Sequence, residues 1–238
     1  MSALRCERPG HTERALRELW PQARRRLWRP RGWWRWLRLR SRYELRELGL
    51  RDVRRLMPLG VVPDCDACEE VCCAGRTRVV PLRLVDIAAL IDAGLERCIT
   101  HQRPSFSIEE LERSPALAQL VTSDFWSWFP VLAQDQTGTC TLLGEDLRCR
   151  AHPAWPLSCA RYPYSLNFGA RAVFYAASCP SRTILPTEAA GPRVHALMEA
   201  TLEAFNQQIR DVVLVSVARG ELERLGLLRF LRLPPEFT

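Results

Sequence analysis

Lysine is absent from this sequence of 238 residues, and all thirty-four of its basic residues are arginines. A bias of this kind is explained most simply by a GC-rich genome, so the net charge of +7 gives only weak support for a nucleic-acid partner. The charge is also uneven. Residues 1–55 hold seventeen arginines against six acids, whereas the remainder holds seventeen against twenty-one. The basic character therefore belongs to an N-terminal arm.

Long apolar runs are absent as well. Charged residues interrupt the first twenty positions, which excludes the apolar core of a secretory signal there. No stretch approaches eighteen apolar residues, and the nearest is the short VVLV at 212–215. We therefore expect a cytoplasmic protein without a transmembrane segment. The sequence also has no G-x-G-x-x-G or other glycine-rich loop for a nucleotide or S-adenosylmethionine.

Composition divides the chain into three expected parts. These are an Arg/Trp-rich helical arm at 1–56, a cysteine-cluster metal-binding domain at 57–186 and a C-terminal helical segment at 187–238. Turn residues between short apolar runs predict a small hairpin at 138–149. The expected fold is thus mainly α with a small β-hairpin, in an irregular, metal-centred cysteine-cluster domain.

Helix signals are clearest in the arm and near the C-terminus. Thr12 is a good N-cap for a first helix, with Pro21 as its break, and a second helix is expected over about 33–48. The pattern at 79–94 is typical of a short β-prone segment followed by a helix that stops at a glycine. A long helix is expected within 185–220.

Cysteine is the most informative residue. Ten are present, and eight of them lie between positions 65 and 179. In a reducing cytosol, an even set of clustered thiols binds metal more often than it forms disulfides. Thiolates are soft donors that suit Zn²⁺ or iron–sulfur clusters, whereas Mg²⁺ and Ca²⁺ prefer oxygen. The eight candidate ligands are Cys65, Cys68, Cys72, Cys73, Cys140, Cys149, Cys159 and Cys179.

Four of these thiols lie in the stretch CDACEEVCC at 65–73. At about 100° per residue, Cys65, Cys68 and Cys72 would share one helical stripe, and a knuckle-like C-x-x-C turn would also bring sulfurs together. Cys73 would point elsewhere, which suits either a second metal or the core.

The remaining cysteines and the nearby polar residues are given simpler roles. Cys6 and Cys98 have no partner in sequence and are expected to be small buried hydrophobes. His152 is the histidine placed between candidate ligands. Carboxylates would repel thiolates, so the acids around CDACEEVCC are expected to form a solvated rim. These acids are Asp64, Asp66, Glu69 and Glu70.

Several segments recur in a recognisable order. The chain carries CDACEEVCC, VVPLRLVDIAAL, GTCTLL, RCRAHPAWPLSCARYPY and finally SCP at 178–180. This order resembles the YkgJ-type cysteine-cluster family, described by CxxCxxCC and known as a zinc- or iron-chelating domain, over roughly 60–182. The resemblance implies that the eight cysteines named above are the ligands, and it places the family's Arg/Tyr-Pro signature at 161–163. Trp155 and Pro156 stand where the family usually has a basic residue before proline.

The resemblance implies a metal-binding protein that holds zinc or an iron–sulfur cluster through eight thiolates. A metal-dependent modifying enzyme is the alternative, because some relatives carry the same cluster beside protein-methylation chemistry. Such an enzyme would need an open coordination position and a pocket. Its predicted lining residues are His152, Arg161, Tyr162 and Tyr164. A metal ion is therefore the expected partner, and a protein partner stays open.

The arm offers a separate hypothesis. Its segment RRRLWRPRGWWRWLRLRSR at 24–42 combines arginine with tryptophan, as nucleic-acid-stacking and membrane-interface segments do. The favoured interpretation is instead an amphipathic helix whose tryptophans dock on the domain while its arginines face solvent. Binding to nucleic acid or an anionic membrane through the arm is the less favoured one.

Overall fold

The computed structural model describes residues 10–29, 33–41, 45–53, 55–57, 73–74, 79–102, 108–113, 128–152, 155–167, 171–175, 187–233 and 237. Four predicted ligands lie outside these ranges, namely Cys65, Cys68, Cys72 and Cys179. The helices are α1 (His11–Leu27), α2 (Trp33–Arg40), α3 (Leu84–Asp92), α4 (Ile108–Arg113), α5 (Leu157–Ala160), α6 (Thr187–Val217) and α7 (Arg219–Arg224). The strands are β1 (Arg55–Met57), β2 (Ile99–Thr100), β3 (Val131–Leu132), β4 (Tyr164–Asn167) and β5 (Ala172–Tyr175). The predicted mainly-α fold with a small β component is confirmed.

α1 differs from its prediction at its start and in its middle. Its N-cap is Gly10 rather than Thr12, and it continues through Pro21 to Leu27. A proline inside a helix costs about 3 kcal/mol. Burial of each leucine on the opposite face contributes roughly 1.5–3 kcal/mol, which together exceeds that cost. The buried stripe consists of Leu16, Leu19, Ala23 and Leu27.

α2 ends at Arg40, well before the predicted end near residue 48. The chain at Leu48 is instead held to α6 by two hydrogen bonds with the side chain of Asn206. The Leu48 N–H donates to Asn206 Oδ1 at 2.8 Å, and Asn206 Nδ2 donates to the Leu48 carbonyl at 2.8 Å. Since both backbone groups of Leu48 are bonded across the fold, a helix at that position would lose them.

The core forms where α1 packs against both α3 and α6. α3 is buried on nearly every side, from Leu84 to Leu90, because its sequence is apolar around almost the whole helix. One cluster of buried side chains joins residues from α1, α3, α6 and α7. The division of the chain at 56/57 and 186/187 stays a prediction, but residues from all three parts share this core.

The arm docks mainly through aliphatic residues of α1, and its tryptophans divide into two groups. Leu19 and Leu27 are among the α1 side chains in the core, and Trp20 and Trp36, which are partly buried, pack against that core. Trp28, Trp33 and Trp34 are exposed. The predicted docked helix is therefore correct for α1, but only some of the tryptophans make the expected contact. The apolar stripe repeats with helical period along α1, and the exposed tryptophans follow α1 in the sequence.

Two small sheets complete the described fold. β4 and β5 form an antiparallel hairpin, with β1 parallel to β5 on its other side, so the strand order is β1-β5-β4. β2 pairs with β3 in antiparallel register, with Ile99 opposite Leu132. The segment predicted as a hairpin, 138–149, forms consecutive tight turns closed by single bridges. Among the described helices, none combines the length and apolar character needed to cross a bilayer.

Candidate metal centre

Cys140 and Cys149 each begin a tight turn of the same form. The N–H of Leu143 donates to the carbonyl of Cys140 at 3.0 Å, and the N–H of His152 donates to the carbonyl of Cys149 at 3.0 Å. Each cysteine therefore stands at the first position of a β-turn, three residues before the donor. A further bridge pairs Cys149 with Leu143, which places the second turn beside the first.

Backbone N–H groups of both turns also favour the charged form of the cysteine. Burial dominates the pKa of each thiol, but the N–H groups of Leu142 and Leu143 act to lower the pKa of Cys140, and those of Ala151 and His152 act to lower that of Cys149. Donors at the second and third positions after the cysteine are what a knuckle-like turn supplies to a metal-bound sulfur. Hydrogen bonds to the charged form lower the free energy of the thiolate.

Without a cation, these thiols resist ionisation. Burial is the main cause that raises the pKa of Cys140 above its ordinary value, and negative charge on Cys149 or Cys98 would raise it further. Burial likewise raises the pKa of Cys149, with Arg150 acting in the opposite direction. The backbone donors reduce this cost but do not outweigh it. A bound cation would supply the missing stabilisation of the thiolates.

Local side chains explain why the chain turns at these positions. Asp135 Oδ1 accepts the N–H groups of Thr137 at 2.8 Å and Thr139 at 2.9 Å, which fixes the loop before Cys140. At Gly144, a Cβ atom would lie 2.7 Å from an Asp146 carboxylate oxygen and 3.2 Å from the Arg148 carbonyl oxygen, so a larger residue would require the Asp146 side chain to move. The Gly144 N–H closes that turn on the Arg148 carbonyl at 2.8 Å.

The structure brings Cys73 to the first turn. The N–H of Cys140 donates to the Cys73 carbonyl at 2.8 Å, so the end of the CDACEEVCC segment lies against Cys140. The first cysteine segment and the later cysteines therefore meet through the backbone at Cys73, and ligation by its thiol stays a prediction.

Cys98 is a buried neighbour that the sequence analysis set aside. It is 2% exposed, as predicted for a small buried hydrophobe. It also lies close enough to Cys140 and Cys149 to affect the pKa of both. The carbonyl of Cys98 accepts the N–H of Ala133 at 2.8 Å, which ties it to the strand that leads to the first turn. Its position depends on the pairing of β2 with β3, a contact that cysteine spacing does not reveal.

Cys159 lies on α5 beside a buried guanidinium. Burial is the main cause that lowers the pKa of Arg161 to about 10, the positive charge of Arg83 adds to it, and a thiolate at Cys159 would oppose it. Arg161 donates to the carbonyl of Tyr164 at 2.6 Å and to Ser165 Oγ at 2.7 Å. The guanidinium is thereby held in place, and by reciprocity its charge favours a thiolate at Cys159.

Buried carboxylates hold the start of α3, and the sequence analysis did not single them out. Asp86 accepts the N–H groups of Arg83 and Leu157, both at 2.9 Å. Asp211 accepts the N–H of Leu84 at 3.3 Å and Gln207 Nε2 at 2.8 Å. The available signal was a single acid inside each apolar run, VDIAAL and RDVVLV, where a charge is costly unless it is bonded.

Asp211 and Arg83 form part of one buried charge network. Burial raises the pKa of Asp211 to about 7, although Arg83, Gln207 and the Leu84 N–H act against the increase. Burial lowers the pKa of Arg83, while Asp211 and Asp86 oppose that change. The network joins the N-terminal end of α3 to α6 and, through Leu157, to the helix that carries Cys159.

The residues predicted to line an enzyme pocket occupy different environments. Tyr164 is 1% exposed and packs with Val173 in a small second core. Arg161 is engaged with Tyr164 and Ser165 as described above, whereas His152 is exposed and has its ring against Trp155, with centroids 5.1 Å apart. Tyr164 is therefore removed from solvent, whereas Arg161 and Tyr162 are partly exposed and His152 is exposed.

Within the described ranges, no three His, Cys, Asp or Glu side chains are placed to hold one ion. Four of the eight predicted ligands fall outside those ranges. Comparison with family models, with curated proteins and with solved structures returns no match to this chain. Its function is therefore inferred from its own residues.

Proposed function

We propose that this protein binds zinc, or iron in an iron–sulfur cluster, through thiolates of its clustered cysteines. The observation that carries the proposal is the pair of equivalent turns at Cys140 and Cys149. In each turn two backbone N–H groups act to lower the pKa of the thiol. Neutral buried thiols gain little from such donors, whereas metal-bound thiolates are stabilised by them because their negative charge is concentrated on sulfur.

The proposed ligand set consists of the eight cysteines that the sequence analysis selected. Cys73 adjoins Cys140 through the backbone, which supports a contribution from the CDACEEVCC segment. The resemblance to the YkgJ-type cysteine-cluster family supports the same set. Eight thiolates exceed the four ligands of one tetrahedral zinc, so the set suits two ions or one cluster with additional structural cysteines.

Metal binding in this set requires reduced cysteines. The cytoplasm maintains thiols in the reduced state, so we propose a cytoplasmic location for the metal-loaded protein. The raised pKa values of Cys140 and Cys149 have a further consequence, since their protons must leave when metal binds. Affinity should therefore increase with pH, and loading at neutral pH should release protons.

The test is metal analysis of protein purified without oxygen. Full-length protein should contain zinc or iron by elemental analysis, and an iron–sulfur cluster would also add visible absorption. Cys140→Ala and Cys149→Ala should each lower the metal content, because each removes a ligand held by its own turn. Zinc added to metal-free protein at pH 7 in weak buffer should release protons, and each variant should release fewer.

Cys98→Ala is the matched control. It removes a buried thiol from the same neighbourhood without touching the proposed set, so its metal content should equal that of the unaltered protein. Protein isolated without zinc and iron, with the clustered cysteines in disulfides, would contradict the proposed function. Loss of metal from Cys98→Ala alone would contradict the proposed ligand set.

A further inference from the structure

A group of exposed apolar side chains lies where α1 ends and along α2. Trp34 is 78% exposed, Trp28 60%, Trp33 49% and Leu37 37%. We call these four residues the Trp face. Large side chains this exposed are ordinary when single, but a contiguous group of them marks a surface that contacts something apolar.

Ring contacts show that the Trp face is contiguous and held together. Trp36 lies between its neighbours, with its ring centroid 5.6 Å from that of Trp28 and 5.1 Å from that of Trp33. Arg40 places its guanidinium 5.0 Å from the Trp36 ring. Leu37 follows Trp33 by four positions and Trp34 by three, so its side chain neighbours both of them on α2. Leu39 anchors this short helix, being only 5% exposed.

The surroundings of the Trp face are entirely cationic in sequence. Residues 19–43 contain nine arginines and no aspartate or glutamate. Among the described arginines of this stretch, Arg26 makes an ion pair, with Glu221 at 2.6 Å. The exposed ones are Arg24, Arg25, Arg29, Arg35, Arg38 and Arg40. A partner for this surface must therefore be apolar at its centre and anionic around it.

We propose that the Trp face binds the surface of an anionic lipid bilayer. Indole side chains favour the level of the lipid headgroups, and arginine stems can follow apolar chains while their guanidinium groups reach phosphate. The geometry is less suited to single-stranded nucleic acid, which needs open ring faces on which successive bases stack. Here Trp33 and Trp36 stack on each other, and Arg40 covers part of Trp36. The protein would lie on the bilayer and not enter deeply, as interfacial helices do.

Vesicle sedimentation with the full-length protein tests this proposal. Vesicles of phosphatidylcholine and phosphatidylglycerol in equal parts should sediment with the protein, and added salt should weaken that binding. Vesicles of phosphatidylcholine alone should bind the protein at least about tenfold more weakly. The double variant Trp33→Ser/Trp34→Ser should lose about tenfold or more in affinity. Trp155→Ser is the matched control, because Trp155 is 40% exposed and lies outside the Trp face.

A charge reversal separates local recognition from net charge. Arg35→Glu/Arg38→Glu should abolish most of the binding, whereas Arg97→Glu/Arg224→Glu changes the net charge equally at exposed positions elsewhere and should reduce it much less. Circular dichroism and metal content should match those of the unaltered protein in all four variants. Absence of vesicle binding, equal losses in both charge variants, or tighter binding to poly(dT) than to anionic vesicles would overturn the proposal. These readouts do not depend on whether metal is bound.

Discussion

The start of α1 gives the sharpest stability prediction, because it depends on a carboxylate from another helix. Asp92, at the end of α3, accepts the N–H of Thr12 through Oδ1 and that of Glu13 through Oδ2, both at 3.0 Å. It thereby serves the orphan donors that Ser or Asp would normally cap from within the helix. A Cβ added to Gly10 would lie 2.3 Å from Asp92 Oδ2 and 2.4 Å from its Cγ. Gly10→Ala must therefore displace this carboxylate.

The expected cost follows from the two hydrogen bonds. Loss of a helix cap costs about 0.5–2 kcal/mol, and hydrogen bonds to a charged acceptor contribute about 1.5–3 kcal/mol each before water replaces them. Asp92 is exposed enough for water to compensate partly, so we expect Gly10→Ala to lower the free energy of unfolding by about 1–2 kcal/mol. Asp92→Ala should cost a similar amount, because both changes remove the same cap.

Urea unfolding at pH 7 with the two single variants and the double variant measures this coupling. If Gly10→Ala acts through Asp92, it should cost little in protein that already carries Asp92→Ala. The matched control is Gly220→Ala, since Gly220 lies in α7 and no atom lies within 4 Å of an added Cβ. Alanine should stabilise that helix by about 0.5–1 kcal/mol. An unchanged free energy in Gly10→Ala, or full additivity with Asp92→Ala, would refute the reasoning.

Three further predictions concern the buried acid, the docking of the arm and the thiols. Burial raises the pKa of Asp211 from 3.8 to about 7, so as pH rises the unfolded chain loses this proton before the folded protein does. The free energy of unfolding should therefore fall by up to about 4 kcal/mol between about pH 4 and pH 7, and then level off. Urea melts should show that slope, and Asp211→Asn should remove it; an equal slope in the variant contradicts the assignment. In the same assay, Leu19→Ala should lower the free energy of unfolding by about 2–4 kcal/mol, whereas Leu37→Ala, at a more exposed position, should lower it by less than about 0.5 kcal/mol. Equal losses of stability in the two variants would show that α1 is not part of the core. In metal-free protein, iodoacetamide should modify Cys140 and Cys149 slowly at pH 8, because burial raises the pKa of both thiols. Peptide mass spectrometry measures the two rates, and rates like those of an exposed thiol would contradict the prediction.

Local patterns were sufficient for some features of this chain. The apolar periodicity of α3 and α6 predicted their existence, and turn residues such as Gly144 predicted that the chain bends between Cys140 and Cys149. These signals are reliable because they depend on neighbours within a few positions. The uneven charge of the arm is likewise a property of composition, and so is the clustering of cysteines that motivates the metal proposal.

Helix ends were less predictable because distant residues fix them. Thr12 is a good N-cap by type, yet Asp92 fills that role and Gly10 takes the capping position. α2 ends at Arg40, and the backbone at Leu48, where a continued helix was expected, is bonded instead to Asn206. In both cases a long-range hydrogen bond outweighs a local preference of about 1 kcal/mol or less.

The sequence by itself determined the mainly helical class, the cationic arm and the order of the cysteines. Only the tertiary structure decided which residues meet: Cys73 at Cys140, Cys98 beside both turns, and Arg83 between Asp86 and Asp211. The physical reason is that burial and long-range contacts set these positions and the pKa values that follow from them. Neither quantity is a function of local spacing, because each depends on segments far apart in the chain that the common core brings together.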